Sequence, residues 1–335
     1  MNAADDARSE RAELDELLRR LDGISDGDLP FRAQRPIKEH LMREIEQAEQ
    51  TTRRRSWRPL YLSLGVVAAA CAVAVSFTLT GSHSKEPAKA ARPEPAAVQL
   101  LDRVALAAGS APAPVVRDGQ FLYTKTVGQS VTLSEIPGGG GKMEKIPSDE
   151  SAEFWHSVDG SAGWTKRTAR GTETFPPEGP PNLNGPTYRF LESLPTDPDQ
   201  LLKLIYEDTR RQHGAGSGST TGPDQQAFVA IGDMLGRVQA PPGLSAALYR
   251  AAARIPGVVL VPEAKDAAGR TGVAVARVHQ DERTEWIFDK QSLRLLGSRT
   301  VTLKDSSWGK AGETVSTRAI VAQGVTDRPG QLPRG

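Results

Sequence analysis

The sequence predicts an α+β protein in which a single transmembrane helix precedes an extracytoplasmic domain, a curved, half-barrel-like antiparallel sheet covered by helices. Three observations support this prediction. An uncharged apolar run fills residues 60–80, strand-like runs recur at regular spacing after residue 258, and amphipathic segments stand before and between the strands. The expected segments are a cytoplasmic acidic helical part (1–58), the membrane helix (59–80), a linker (81–95) and the folded domain (96–335).

Composition excludes several classes of protein. The 335 residues are 38% hydrophobic, which is enough for a globular core. The 42 basic and 41 acidic side chains nearly cancel, so no chain-wide positive field is available to hold nucleic acid directly. The single cysteine excludes an internal disulfide framework and every zinc site built on several cysteines.

The amino-terminal segment carries two amphipathic helical patterns. Apolar residues recur at helical spacing on each, and residues 1–50 hold 13 acidic against 8 basic side chains. Two such short helices bury too little area to be stable alone, since domains below about 40 residues usually need a partner, a metal or a disulfide. They are expected either to lie at the membrane surface or stay unfolded, or to bind a partner through these residues: Leu14, Leu17, Leu18, Leu21, Ile37, Leu41 and Ile45.

The run over residues 60–80 predicts a membrane span. Its 21 residues contain no charge and would extend about 31 Å as a helix, which matches a hydrocarbon core. Basic residues directly before it predict a cytoplasmic amino terminus. The flank consists of Arg53, Arg54, Arg55 and Arg58, and the span includes Leu60, Tyr61, Gly65, Cys71, Phe77 and Thr80. Cys71 would then act as a small lipid-facing apolar residue.

A cleaved signal peptide is the competing interpretation of this run. Ala88-Lys89-Ala90 has the small-x-small form of a cleavage site, but the segment before the apolar run would be nearly sixty residues long. A signal anchor in the plasma membrane fits better. The three prolines of residues 81–95 then predict a semi-extended linker between the membrane and the folded domain.

The order of elements predicted for the folded domain is helix, strands, helices and a strand meander. A helix bearing Val98, Leu101 and Val104 comes first, followed by strands over 120–127, 130–133, 152–158 and 163–168. A proline-rich crossing over 175–186 leads to helices over 200–212, 225–237 and 244–254. Strands over 258–261, 272–279, 283–289, 293–303 and 314–324 complete one antiparallel sheet.

The sequence contains no recognisable catalytic motif. The glycine run before Lys142 lacks the first glycine of a phosphate-binding loop, because position 136 is Ile136. The five histidines form no metal-ligand spacing, and Ser217 lies outside a Gly-x-Ser-x-Gly frame. We therefore expect no enzyme activity, no cofactor and no metal.

Three tryptophans on predicted strands suggest a ligand-binding surface. Trp155, Trp164 and Trp286 would line the concave face of the sheet and hold an apolar ligand. The alternative is that they fill the core between sheet and helices. Position in the sequence alone does not decide between the two.

Several short motifs resemble a family of actinobacterial single-pass membrane proteins whose genes commonly adjoin extracytoplasmic-function sigma factors. The resemblance extends over roughly residues 10 to 325 and rests on the segments 119–123, 194–198, 242–249, 255–258, 287–289 and 295–297. It implies a sensor or accessory regulator of sigma-factor signalling, with a sigma factor as cytoplasmic partner. The amino terminus has no His-x-x-x-Cys-x-x-Cys, so the zinc of one anti-sigma class is not implied.

More remotely, the order of elements looks like the half-barrel of lipoprotein carriers and of periplasmic regulators that bind anti-sigma factors. That resemblance implies a lipid, lipoprotein or other envelope component as the extracytoplasmic partner. Two hypotheses follow from the sequence. The protein is an anti-sigma-like sensor, or it is a membrane-anchored lipid- or lipoprotein-binding module with no regulatory role.

Overall fold

The computed structural model describes residues 92–136, 142–177, 179–213 and 221–334. The helices are α1 (Pro95–Gly109), α2 (Tyr188–Glu192), α3 (Pro198–His213), α4 (Pro223–Arg237) and α5 (Pro242–Ala252). The strands are β1 (Phe121–Glu135), β2 (Met143–Asp149), β3 (Ala152–Ser157), β4 (Trp164–Thr168), β5 (Gly171–Phe175), β6 (Val258–Lys265), β7 (Thr271–His279), β8 (Glu282–Phe288), β9 (Leu295–Thr302) and β10 (Thr314–Thr326).

All ten strands form one open antiparallel sheet. Their order is β5-β4-β3-β1-β10-β9-β8-β7-β6, and β2 pairs with the far half of β1. Pairing of β1 with β10 joins the early strands to the late meander in the middle of the sheet. The α+β class and the large antiparallel sheet predicted from the sequence are confirmed.

The early strands differ from the prediction in two ways. Residues 120–127 and 130–133, predicted as two strands, belong to the single strand β1. Gly128 allows this continuity, because a Cβ there would lie 2.9 Å from the carbonyl oxygen of Thr317 on β10. Strands β2 and β5 were not predicted, since β2 contains Pro147 and β5 carries the polar sequence Gly-Thr-Glu-Thr-Phe.

The helices pack together on one side of the sheet, which we call the helix-covered face. Helix α1 contacts α5 and strands β6 and β7, and α3, α4 and α5 contact one another. Large buried side chains from both layers meet there, among them Leu101, Phe228, Leu244 and Phe288. The core therefore lies between the helices and the β6–β8 part of the sheet.

The folded domain begins against the edge of the sheet. The main-chain N–H of Glu94 donates a hydrogen bond to the carbonyl of Val258, and the Glu94 carboxylate accepts one from the Leu260 N–H at 2.7 Å. Pro95 then occupies the first turn of α1, where a missing N–H costs nothing. The last residues of the predicted linker are thus tied to β6.

The predicted segments over 1–58 and 59–80, and most of the linker, lie outside the described residues. None of the helices within the described ranges is long and apolar enough to cross a membrane.

Candidate functional site

A row of aromatic side chains lies on the helix-covered face of strands β3, β4 and β5. Alternation along β3 puts Phe154 and His156 on the same face, and the strand register sets Trp164 opposite His156 and Phe175 opposite Trp164. Ring centroids are 5.9 Å apart for Phe154 and His156, 5.9 Å for His156 and Trp164, and 3.9 Å for Trp164 and Phe175. All four are half-buried. We call them the aromatic row.

The face of the aromatic row follows from its cross-strand neighbours. His156 pairs with Leu122 on β1, and Leu122 is buried in the core formed with the helices. The row therefore continues the helix-covered face beyond the part that the main core occupies.

Buried polar atoms without partners accompany the aromatic row. Among the residues that the structure describes, the hydroxyl of Thr124, which pairs with Phe154 across the strands, has no hydrogen-bond partner, and neither does Nδ1 of His156. Burial, and secondarily the positive charge of Arg237, lowers the pKa of His156 to about 4. His156 is therefore neutral at physiological pH.

Two further basic residues are Arg237 at the end of α4 and Arg318, which lies on β10 opposite Gly128, and we call them the arginine pair. Both are half-buried, and within the described ranges neither makes a hydrogen bond or an ion pair closer than 4.0 Å. Burial lowers the pKa of Arg318; Asp233 opposes this shift and Arg237 adds to it.

Arg318 lies in a narrow cleft between α4 and the sheet. Its lining includes Gly232 and Gly236 of α4, with Trp286, Ser298 and Ile320 on the strands. A Cβ on Gly236 would lie 2.6 Å from a guanidinium nitrogen of Arg318, so the bare helix backbone makes room for this side chain. Helix α4 therefore packs on the sheet directly against the charged side chain of Arg318.

The three tryptophans predicted to line one face do not share it. Trp164 belongs to the aromatic row, and Trp286 is stacked on Phe228 with a centroid separation of 4.0 Å, inside the core. Trp155 points to the opposite face, where its indole N–H donates to the carbonyl of Gln331 at 2.7 Å. The prediction of a common lining is thus wrong for Trp155, because Trp164 pairs with His156, and His156 and Trp155, as adjacent residues of β3, face opposite sides of the sheet.

The opposite face holds two ion-paired carboxylates. Glu153 accepts hydrogen bonds from Tyr123 at 2.6 Å and from Arg167 at 2.7 Å. Burial alone would raise the pKa of Glu153, but these hydrogen bonds and the Arg167 charge outweigh it and lower the pKa. Burial and Glu153 together raise the pKa of Tyr123 above its ordinary value. These groups stay in fixed protonation states near neutral pH.

Glu285 is the second ion-paired carboxylate, and it is completely buried. Its oxygens accept from Nε of Arg299 at 2.7 Å and from Nε of Arg283 at 2.8 Å. Arg283 and Arg299 cover the Glu285 carboxylate and neutralise its charge, which a buried ion requires. Glu153 and Glu285 therefore both have structural roles.

Several predicted residues lie outside the described part of the chain. They are the span and its arginine flank, and the partner-binding residues Leu14, Leu17, Leu18, Leu21, Ile37, Leu41 and Ile45. Among the residues that the structure does describe, no group of three His, Cys, Asp or Glu side chains is arranged to hold a metal ion.

Sequence reasoning missed five residues of this site: Phe154, His156, Phe175, Arg237 and Arg318. The alternation of Phe154 with His156 on a predicted strand was a usable signal for their common face. The arginine pair gave no such signal, since the two residues come together only through the packing of α4 on β10.

No family model matches the chain, and no curated protein is significantly similar to it.

Proposed function

We propose that the chain is a non-enzymatic single-pass membrane protein that acts as a sensor or accessory regulator of an extracytoplasmic-function sigma factor. In this proposal the C-terminal domain binds an extracytoplasmic ligand or partner, and the amino-terminal helices bind the sigma factor. The observation that carries the ligand-binding half is the aromatic row, whose half-buried rings continue the helix-covered face beyond the main core. Half-buried rings on a sheet face are a feature of a binding site.

The finer architecture belongs to the same proposal. The sheet would be curved, as in a half-barrel, with its concave side toward the helices, and the segment over 60–80 would anchor the domain to the plasma membrane. The uncharged run and its arginine flank support the anchor. The attachment of Glu94 to β6 supports a linker that enters the domain at one sheet edge.

The carboxylates of the domain support a non-enzymatic role. General acid or base catalysis needs a carboxylate that can gain or lose a proton at the reacting atoms. Glu285 instead neutralises two arginines in a buried position, and Glu153 is held by Tyr123 and Arg167. Both are used for stability.

Co-purification of the full chain tests the regulatory half. The tagged protein is expressed in its native host, extracted from membranes, and the retained sigma factors are identified by mass spectrometry. Alanine at Leu17, Leu18 and Leu41 should abolish retention of the sigma factor, because the spacing of these residues predicts that they share the apolar helix faces.

The matched control replaces Glu16, Arg19 and Arg43 by alanine, because their spacing predicts that they point away from the apolar faces. It should retain the partner. Equal retention by the two triple variants, or no sigma factor retained by the native chain, would overturn the regulatory proposal.

A second candidate function is a membrane-anchored lipid- or lipoprotein-binding module without a regulatory role. The aromatic row favours it, since stacked rings offer an apolar surface to a hydrocarbon chain. Lipid extracted from the purified full chain, together with no retained sigma factor, would support this candidate over the first.

A further inference from the structure

We propose that the face of the sheet opposite the helices binds proline-containing peptides, and that the chain's own C-terminal tail, residues 327–334, occupies this site in cis. The site, which we call the peptide surface, consists of Phe121, Tyr123, Trp155 and Gly324. Its partner is an extended segment of another protein that carries a proline and takes the place of the tail. The peptide surface shares no residue with the aromatic row, so its role does not depend on the function proposed above.

The peptide surface is aromatic although it lies outside the main core. Phe121, Tyr123 and Trp155 form a buried cluster of their own, apart from the core between the sheet and the helices. The strand register aligns Trp155, Tyr123 and Gly324 in a row across β3, β1 and β10. The rings of Tyr123 and Trp155 have centroids 5.3 Å apart. Two large rings thus stand beside a position without a side chain, which leaves room for a third ring.

Pro333 of the tail fills that room. A Cβ on Gly324 would lie 2.5 Å from the Pro333 side chain, so this proline packs directly on the bare backbone of β10, next to Tyr123. Pro333 is half-buried, whereas the other residues of 327–334 are exposed, and Leu332 is 63% exposed. The tail is therefore anchored by its proline, and the peptide surface makes little use of the larger apolar side chain beside it.

The second contact of the tail is made by its main chain. The indole N–H of Trp155 donates to the carbonyl of Gln331 at 2.7 Å. Residues 328–331 form a hydrogen-bonded turn with Pro329 and Gly330 at its centre, and Gly330 has φ +81°, as a type II turn requires. Aromatic grooves recognise proline-rich peptides in this way, through proline rings and main-chain carbonyls rather than through specific side chains. Any segment with a carbonyl two residues before a proline can make both contacts.

The tail can leave the peptide surface without disturbing the sheet. Strand β10 ends at Thr326, and the side chain of Gln120 holds Asp327 at 2.7 Å. Release of residues 329–334 therefore breaks no strand pairing. A peptide in trans can replace the tail once its concentration exceeds the effective concentration of the tethered segment.

Peptide binding to the full chain in nanodiscs of neutral phosphatidylcholine tests this inference. The probe is a fluorescently labelled peptide of residues 326–334, and binding is followed by anisotropy against empty nanodiscs. The Pro333→Ala chain should bind this peptide about fivefold tighter than the native chain, because its own tail competes less well for the site. The matched Leu332→Ala chain loses an exposed side chain from the same tail and should bind as the native chain does.

Further variants locate the contacts. A peptide carrying Pro333→Ala should bind the Pro333→Ala chain about tenfold more weakly than the native peptide, since it lacks the ring that packs on Gly324. Trp155→Phe, added to the Pro333→Ala chain, keeps a ring but removes the indole donor and should also weaken binding. Thermal unfolding checks that each variant is folded. If Trp155→Phe does not fold, Gly324→Ala serves instead, because its methyl group takes the place of the Pro333 ring.

Three results would overturn the inference: no peptide binding above that of empty nanodiscs, equal binding of the native and Pro333→Ala peptides, or unchanged binding after substitution of the peptide surface. None of these measurements involves a sigma factor or the aromatic row. Failure of peptide binding would therefore leave the regulatory proposal standing, and loss of sigma-factor retention would leave the peptide surface standing.

Discussion

The indole N–H of Trp155 donates a hydrogen bond to the main-chain carbonyl of Gln331 at 2.7 Å, which ties the C-terminal tail to the face of the sheet opposite the helices. Pro333 packs on the same tail contact, where a Cβ on Gly324 would lie 2.5 Å from its ring. Arg167 stacks on the Trp155 ring at 4.9 Å from the centroid. Together these contacts leave Trp155 with no exposed surface.

Removal of residues 329–335 should destabilise the domain by about 1 to 3 kcal/mol, since it breaks this hydrogen bond and uncovers the Trp155 ring. Tryptophan emission should shift to the red as the ring meets water. Denaturant titration followed by fluorescence measures both effects. A chain lacking only residues 334–335 is the control and should behave as the native protein; an equal loss in the two truncations would contradict the role of Gln331.

Much of the fold follows from local sequence patterns. The three long helices and the five late strands were predicted within a few residues, because helical apolar spacing, proline at the first turn and turn residues are local signals. The sequence did not predict that residues 120–135 form one strand, because this continuity depends on the close approach of β10 to Gly128. The paired strand β2 was hidden by its polar residues and Pro147.

The candidate site was less predictable than the fold. Alternation along β3 puts Trp155 and His156 on opposite faces of the sheet. Whether Trp164 shares the face of Trp155 or that of His156 depends on the register between β3 and β4. That register places Trp164 opposite His156, and nothing in the sequence specifies it. The arginine pair depends on tertiary packing, which periodicity does not report.

Glu285→Gln should destabilise the domain by about 3 kcal/mol or more. The substitution removes the negative charge that neutralises Arg283 and Arg299 and leaves two cations against a buried amide. Urea unfolding measures the change. Glu313→Gln is the matched control, because it removes a carboxylate from an exposed pair with Lys145 and should cost far less stability than Glu285→Gln. Similar losses in both variants would show that the burial of Glu285 is not decisive.

Two glycines of α4 offer a matched pair of substitutions. A Cβ on Gly232 would lie 2.5 Å from Nε1 of Trp286, a ring fixed by its stacking on Phe228, whereas a Cβ on Gly236 would meet the flexible end of Arg318. Gly232→Ala should therefore cost about 1 to 3 kcal/mol by overpacking. Gly236→Ala should cost less, because the gain in helix propensity, about 1 kcal/mol, offsets the movement of Arg318.

Thermal and urea unfolding of both alanine variants measure this difference. Near-UV circular dichroism adds a local check, since only Gly232→Ala should perturb the Trp286 signal. A larger loss of unfolding free energy for Gly236→Ala than for Gly232→Ala would contradict this prediction. It would mean that the Arg318 side chain is fixed in place and cannot move away from the added methyl group.

His156 should make the domain less stable as the pH falls from about 6.5 to 4. Burial lowers its pKa to about 4 in the folded chain, while the unfolded chain titrates near the ordinary value of about 6.5. Between these values the unfolded state binds the proton and the folded state does not, so stability drops, by a few kcal/mol at most, and levels off below pH 4. Urea unfolding at pH 7, 5.5 and 4.5 follows this loss.

His156→Phe isolates this contribution, because phenylalanine keeps a ring in the aromatic row and carries no titrating group. Other acids and histidines titrate equally in both proteins, so the difference between the native chain and the variant reports His156 alone. We expect the unfolding free energy of the native chain to fall more steeply with pH than that of the variant, since only the native chain loses stability through this residue. Parallel losses across the three pH values would mean that His156 is hydrated in the folded chain and keeps its ordinary pKa.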